Sequence, residues 1–217
     1  GLAFPCFCSS SELEIMHASQ VASGIAPHYA GPCGRLNIKG RQKAIDAGRK
    51  AVLRFKVPRD RNFKYDDIVL GERRFTSEQA DDFVIRDSAG NPSHVFTDAI
   101  DDALMGVTHR LLSMTQLNEL PQRLLILKTF GLPVPDYGHI PPATSDPESE
   151  LLGDLQGVFL RQLRKAGYHS LAVMNYLARL GHQYESNELL TFQQLARDFH
   201  LSRISKMYTV LVQIFFE

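Results

Sequence analysis

Three cysteines are the residues best suited to chemistry in this chain. Cys6, Cys8 and Cys33 all fall in the first segment, and they are the only cysteines present. An odd, clustered set without a secretion signal argues against a disulfide framework and for a metal site. Thiolates favour zinc, which takes four ligands in a tetrahedron, and three cysteines this close supply most of one. The competing reading is three buried free thiols, which cores commonly hold. The fourth position is open between Tyr29 and His28.

A second candidate is a basic stretch. From Arg35 to Arg74 basic residues outnumber acids, although the whole chain carries a formal net charge of +0. Arg54, Lys56, Arg59, Arg61 and Lys64 stand among Phe55, Phe63, Tyr65 and Phe75. Cations interleaved with aromatics suit phosphate contact along an RNA backbone, and a solvated strand surface is the alternative. From Ser77 to Leu160 acids dominate. Asp101 and Asp102 form a carboxylate pair, read as hydrogen-bonding a turn or helix start rather than as acid–base catalysts. His94 and His109 have no nucleophile or metal partner nearby in sequence.

These residues need elements to position them. A helix is expected from Glu12 to Ala22 after the serine run 9–11, and a short one over 41–51. Val52–Val57 alternates apolar and basic side chains, the pattern of a strand with one wet face. Ile68–Leu70 and Phe83–Arg86 are further strand candidates, and 89–92 is a turn. From Asp101 onward the pattern turns helical. Leu117–Phe130 is stopped by Gly131 and Pro133, and Gly131–Ser149 reads as a proline-rich connector. Helices at Leu155–Ala166, Ser170–Leu180 and Phe192–Phe199 follow, the last capped by Thr191.

With 217 residues and 44% hydrophobic content, the chain can bury a real core in one domain or two small ones. It has no apolar run long enough for a transmembrane helix, and Gly1–Pro5 does not read as a signal peptide. The expected compartment is the cytoplasm, with no membrane partner. The start on Gly1 rather than methionine is that expected of a fragment.

Several collinear stretches resemble the glutamyl-tRNA synthetase family and its shorter glutamyl-queuosine tRNA(Asp) relatives. The run Asp81-Asp82-Phe83-Val84-Ile85, followed by Asp101-Asp102-Ala103-Leu104-Met105-Gly106-Val107-Thr108-His109, is similar to the middle of the bacterial enzymes. Phe4–Ser9 with Glu12-Leu13-Glu14, and Tyr29-Ala30-Gly31-Pro32-Cys33, resemble the two ligand clusters of a zinc-bearing insertion. Leu53–Pro58 and Asp66–Gly71 resemble the acceptor-stem-binding domain. Gly167-Tyr168, Asn175–Gly181 and Ser205-Lys206 resemble the helical stem-contact region.

The resemblance implies an α/β fold: the second half of a class I synthetase Rossmann-like catalytic domain, an inserted zinc-bearing α+β subdomain, and a C-terminal helical stem-contact subdomain. The implied boundaries are 1–80 for the zinc-bearing, acceptor-stem-binding part, 81–150 for the catalytic half, and 151–217 for the helices. It also implies zinc held structurally by Cys6, Cys8, Tyr29 and Cys33, and tRNA contact through Arg54, Lys56, Arg59, Arg61 and Lys64.

The departures concern chemistry. The family's His-Ile-Gly-His type signature for ATP has no counterpart; Gly138-His139-Ile140-Pro141 aligns instead with a structural His-Leu-Pro stretch. The family's Tyr-Asn-Phe is His94-Val95-Phe96, and its Arg-Gly-Glu-Asp-His aligns with Leu112-Ser113-Met114-Thr115-Gln116. An arginine fork that clamps a carboxylate is thereby lost, leaving His94 and Leu112 as markers of a remodelled pocket. The family's Lys-Leu-Ser-Lys-Arg aligns with Glu150-Leu151-Leu152-Gly153-Asp154, which inverts the charge offered to a phosphate. The expected function is a catalytically inactive relative that keeps a tRNA-acceptor-stem or partner-binding scaffold, with no catalytic residue and no ATP bound by this chain alone. The alternatives are an active ATP-dependent glutamate ligase with an upstream ATP-binding half, and a structural protein that self-associates through an exposed sheet edge and the apolar run Val210–Phe216.

Overall fold

A computed structural model describes residues 1–141, 143–144, 160–207 and 209–210. The chain is α/β and forms two compact units. The first comprises Gly1–Tyr65, Arg74–Thr108 and Asn118–Pro135; the second comprises Asp66–Arg73, His109–Leu117 and Asp136–Glu217.

The first unit is built on a three-stranded antiparallel sheet. Strand β1 (Ala3–Cys6) pairs with β2 (Val52–Phe55), which pairs in turn with β5 (Val84–Arg86). The register sets Cys6 opposite Val52 at the end of the ladder, so the chain leaves the sheet as it reaches the cysteines. There Ser9 accepts from the Glu12 amide, and the Glu12 carboxylate accepts from the Ser9 amide at 2.7 Å. This reciprocal cap starts helix α1 (Ser10–Ala22) two residues before the expected position. Helix α2 (Ile38–Asp46) is capped by Asn37. Neither helix contains a fully buried residue. Core packing comes instead from Phe4, Cys6, Phe7, Tyr29 and Cys33, and from Phe55 stacked on Phe83 at 5.1 Å.

Strands β3 (Asn62–Asp67) and β4 (Gly71–Thr76) form a hairpin. Its turn occupies 68–70, the run expected to be a strand. Asp67 Oδ1 accepts from the amides of Val69 and Leu70 at 2.9 and 2.8 Å, so the carboxylate folds the backbone before the apolar triplet can extend. After the short helix α3 (Ser77–Ala80), helices α4 (His94–Leu104) and α5 (Leu120–Phe130) pack against each other, and Val95 and Ala99 of α4 and Leu120, Ile126 and Leu127 of α5 are buried. Asp101 and Asp102 lie in the last turns of α4, not at a helix start, and Asp102 is buried. Gly131 ends α5 in the left-handed conformation, φ 64°.

The second unit contains a parallel pair, β6 (His109–Ser113) and β7 (Asp136–Ile140). Helix α5 lies between them in sequence, the β–α–β order that parallel pairing requires. Both strands correct the sequence expectation: β6 falls where helix was expected, and β7 falls in the expected connector. Leu111 and Leu112 are adjacent, which hides a period of two, and prolines bracket β7. A second parallel pair joins β8 (Ala143–Thr144) to β9 (Thr209–Val210). Helix α6 is described over Leu160–Lys165; α7 (Ser170–Leu180) and α8 (Phe192–Arg197) follow. The Asn175 amide donates to Leu190 O and accepts from Leu190 N, tying α7 to the chain before α8. The altered loop 150–154 and the apolar run beyond Val210 lie outside the described residues. No helix among the described residues is long and apolar enough to cross a membrane.

Candidate metal centre and basic strand

The three thiols converge. Cys6 comes from the end of β1, Cys8 from the loop two residues on, and Cys33 from a single 3-10 turn, Pro32–Arg35. Their sulfurs all lie within 4.8 Å of one another, and none is in a disulfide. Cys8 Sγ is 3.7 Å from Cys33 Sγ. Tyr29 completes the group: its hydroxyl is 3.3 Å from Cys6 Sγ and 3.7 Å from Cys8 Sγ. With zinc–sulfur bonds of about 2.3 Å and a zinc–oxygen bond of about 2.0 Å, tetrahedral edges are about 3.8 Å for S–S and about 3.5 Å for S–O. The Cys8–Cys33 edge and the two edges to the Tyr29 hydroxyl lie close to these values, so the cluster is compatible with a structural zinc site. The Phe7 amide points at Cys33 Sγ at 3.4 Å, the backbone donor expected for a thiolate.

His28 drops out as the fourth ligand. It is half-buried and engaged elsewhere, with Nδ1 3.0 Å from Ala26 O and Nε2 3.4 Å from the Gln20 amide nitrogen. Tyr29 is instead held from both ends. Its amide donates to Asp81 Oδ2 at 2.7 Å, and the Arg54 guanidinium lies 4.2 Å from its ring centroid. Gly31 leaves the space the ring needs, since a Cβ there would sit 2.5 Å from the Tyr29 hydroxyl.

The protein's own charges do not ionise the whole cluster. Burial pushes the Cys8 thiol up to about 12 and also raises the Tyr29 hydroxyl. Burial acts in the same sense on Cys6, but hydrogen bonds to Tyr29, the Cys8 backbone and Arg54 outweigh it and lower its pKa. A divalent cation would supply the charge that deprotonates such ligands.

The basic stretch is more divided than its sequence. Lys56, Arg59, Arg61 and Lys64 are exposed, and Arg59 pairs with Asp82 at 3.1 Å. Arg54 corrects the expectation of a wet face. It is buried over Tyr29 and donates to Asp82 O at 2.7 Å, so it leaves the set available to a phosphate backbone.

The two pocket markers lie in different units. His94 opens α4 in the first unit, is exposed, and has Nε2 3.0 Å from Glu119 Oε1. Leu112 is buried in β6 of the second, opposite His139 in the register. His109 is exposed, 3.8 Å from Asp136.

Two buried polar arrangements escape a reading of the sequence. Arg123, fully buried, donates to Asp98 at 3.1 Å and to Glu119 at 2.8 Å; only its i,i+4 spacing from Glu119 could have signalled it. In the second unit His139 Nδ1 meets Asp67 Oδ2 at 2.5 Å, both side chains fully buried. No spacing rule links residues 67 and 139.

The described chain combines an antiparallel sheet, two parallel strand pairs, a thiol cluster and trailing helices. The family of class I tRNA synthetases (E and Q), catalytic domain, matches residues 1–214, and the chain belongs to it. Glutamate–tRNA ligase 2 of Nitrosococcus oceani is 42% identical over 205 residues, covering 94% of this chain and 43% of that protein. Glutamate–tRNA ligase 1 of Methylococcus capsulatus is 41% identical over 206 residues, 95% of this chain and 44% of its own length. The chain thus spans less than half the length of these relatives. A crystal structure of glutamate-tRNA synthetase from Elizabethkingia anophelis superposes with a TM-score of 0.84 over 98% of this chain and 48% of its own; at 23% identity it bears on the fold alone.

Proposed function

We propose that this chain is a catalytically inactive member of the glutamate–tRNA ligase family that keeps a zinc-organised module for contact with the acceptor stem of tRNA. Leu112 carries the reading. It stands where the family resemblance places the arginine of the amino-acid site, and it is buried apolar in β6, so no cation from that position can meet a carboxylate. His94, aligned with a pocket tyrosine, is engaged by Glu119. On the binding side the materials for RNA contact persist: the thiol cluster with Tyr29, and exposed Lys56, Arg59, Arg61 and Lys64.

The catalytic half of the reading is tested by glutamate-dependent exchange between ATP and pyrophosphate. None is expected, and exchange at a rate typical of synthetases overturns inactivity. The binding half is tested by the salt dependence of tRNA affinity. Each cation withdrawn from a phosphate should flatten the log–log salt slope by about 0.7–0.9. Replacing Lys56, Arg59, Arg61 and Lys64 together by serine should therefore remove most of the slope, and an unchanged slope overturns the assignment.

A further inference from the structure

We infer that the cleft between α1 and α2 takes one unpaired nucleotide of a bound RNA, its base against the apolar walls and its phosphate on the cations of α2. The cleft has a volume of about 440 Å3. That is within the about 300–1,000 Å3 of small-ligand sites and enough for a base with its ribose. Phe7, Met16, Leu36, Ala44 and Ala47 line it, together with Cys8 and Cys33. These are aliphatic, aromatic and thioether surfaces that a flat base can cover without breaking a hydrogen bond. The charged groups in the lining are Glu12, Lys43 and Arg49, with Arg49 Nη2 2.9 Å from Glu12 Oε1.

Charge complementarity selects the occupant. Residues 35–50 hold six cations, Arg35, Lys39, Arg41, Lys43, Arg49 and Lys50, against a single anion, Asp46. A polyanion carrying flat apolar groups satisfies both features, and single-stranded RNA is that combination. The exposed isoleucines of α2, Ile38 and Ile45, lie about half a turn from the Lys43–Ala44–Ala47 face. The apolar surface that would suit a protein partner is therefore directed away from the cleft.

This inference rests on the RNA-binding reading, and the test separates the two. The probe is a single-stranded RNA hexamer containing 4-thiouridine, irradiated on the unmodified chain, with the cross-linked residue mapped by mass spectrometry. The cross-link is expected at Phe7, Met16 or Leu36. Ala47→Leu, which fills the cleft from an exposed position, and Lys43→Glu should each weaken hexamer binding about tenfold. Zinc content serves as the check on folding. If tRNA binds through Lys56, Arg59, Arg61 and Lys64 while the hexamer cross-links elsewhere, the cleft assignment is overturned and the RNA reading stands. If neither RNA binds, both fall. If an acidic amphipathic peptide binds, loses affinity in Ala47→Leu, and the hexamer does not bind, the cleft is a protein-docking site and the inference is overturned. If a variant loses zinc, the cross-link on the unmodified chain decides.

Discussion

Gly31→Ala should disable the zinc site without altering any ligand. A Cβ at position 31 would lie 2.5 Å from the Tyr29 hydroxyl, 2.6 Å from Cζ and 2.7 Å from Cε2. Ordinary contact is about 3.5 Å, so the ring or the loop must retreat by about 1 Å. The ring has little room to do so. Arg54 covers it at 4.2 Å, Phe4 lies 5.9 Å away between centroids, and Asp81 fixes the Tyr29 amide at 2.7 Å. A displacement of that size takes the hydroxyl off its vertex, since the edges to Cys6 and Cys8 already span 3.3 and 3.7 Å. Structural zinc sites bind with about 10–16 kcal/mol. Loss of one ligand in four therefore costs about 2.5–4 kcal/mol, roughly two to three orders of magnitude in affinity.

The assay is zinc release to a chromophoric chelator, run beside two comparisons. Tyr29→Phe removes the hydroxyl and keeps the ring, so it should lose zinc affinity to a similar extent. Gly34→Ala is the neutral control, because its Cβ would meet the Phe4 ring at 3.5–3.6 Å, an ordinary contact. Unchanged zinc affinity in Gly31→Ala refutes the reasoning. So does an equal loss in Gly34→Ala, which would make the loop sensitive to any added methyl. Full retention by Tyr29→Phe removes tyrosine from the ligand set.

Three further outcomes are expected. Arg123→Met strands the Asp98 and Glu119 carboxylates; because both keep some solvent access, the cost should be near the low end for a broken buried pair, about 3 kcal/mol in urea unfolding. Asp67→Asn should alter the acid limb of stability. Burial raises the Asp67 pKa, but His139 and three backbone amides outweigh it, so its folded value is depressed. Its contribution is present above the unfolded value of about 3.9 and is lost as pH falls from there through the folded value. The variant should be less stable at pH 7 and lose less below pH 4, a pattern read from thermal unfolding across pH. Gly138→Ala would set a Cβ 2.6 Å from Ile68 Cγ1 and 2.8 Å from Leu111 Cδ2, an overpacking worth about 1–3 kcal/mol by the same measurement.

Local chemistry made some of this fold legible and long-range chemistry hid the rest. Helix α7 spans Ser170–Leu180 as its period and Gly181 imply, and Thr191 caps α8 through Gln194. These signals sit within a turn of the residues they govern. Strand β7 was hidden because Asp136–Ile140 draws its order from a parallel partner 27 residues earlier, a pairing that leaves no local mark. Arg54 misled for a related reason. Alternation over 52–57 implies two faces, but which face is wet depends on Tyr29 and Asp82, neither of them near in sequence. The thiols were legible because soft ligands are rare and clustered; the role of Gly31 was not, because it exists only once the Tyr29 ring is in place.

The position of Arg54 also links the thiol cluster to the basic segment between β2 and β3, which the proposed function assigns to tRNA. Asp81 accepts from the Tyr29 amide through Oδ2 and from the Asp82 amide through Oδ1, at 2.7 and 2.6 Å. To bridge them it adopts φ 53°, a conformation costly for a residue with a side chain. Asp82 then holds the Val57 amide through Oδ1, Arg59 through Oδ2, and Arg54 through its carbonyl oxygen. One pair of aspartates thus joins the ligand-bearing tyrosine to the backbone between Lys56 and Arg59. A strained bridge persists only while both ends are fixed, and a zinc ion held by the thiols and Tyr29 would fix one of them. Chelation should therefore weaken tRNA binding although it removes no cation from Lys56, Arg59, Arg61 or Lys64. The measurement is tRNA affinity at one salt concentration before and after zinc removal, with Asp81→Asn as the partner variant. A chelated chain that remains folded and binds tRNA as tightly as the zinc-loaded one would break the link.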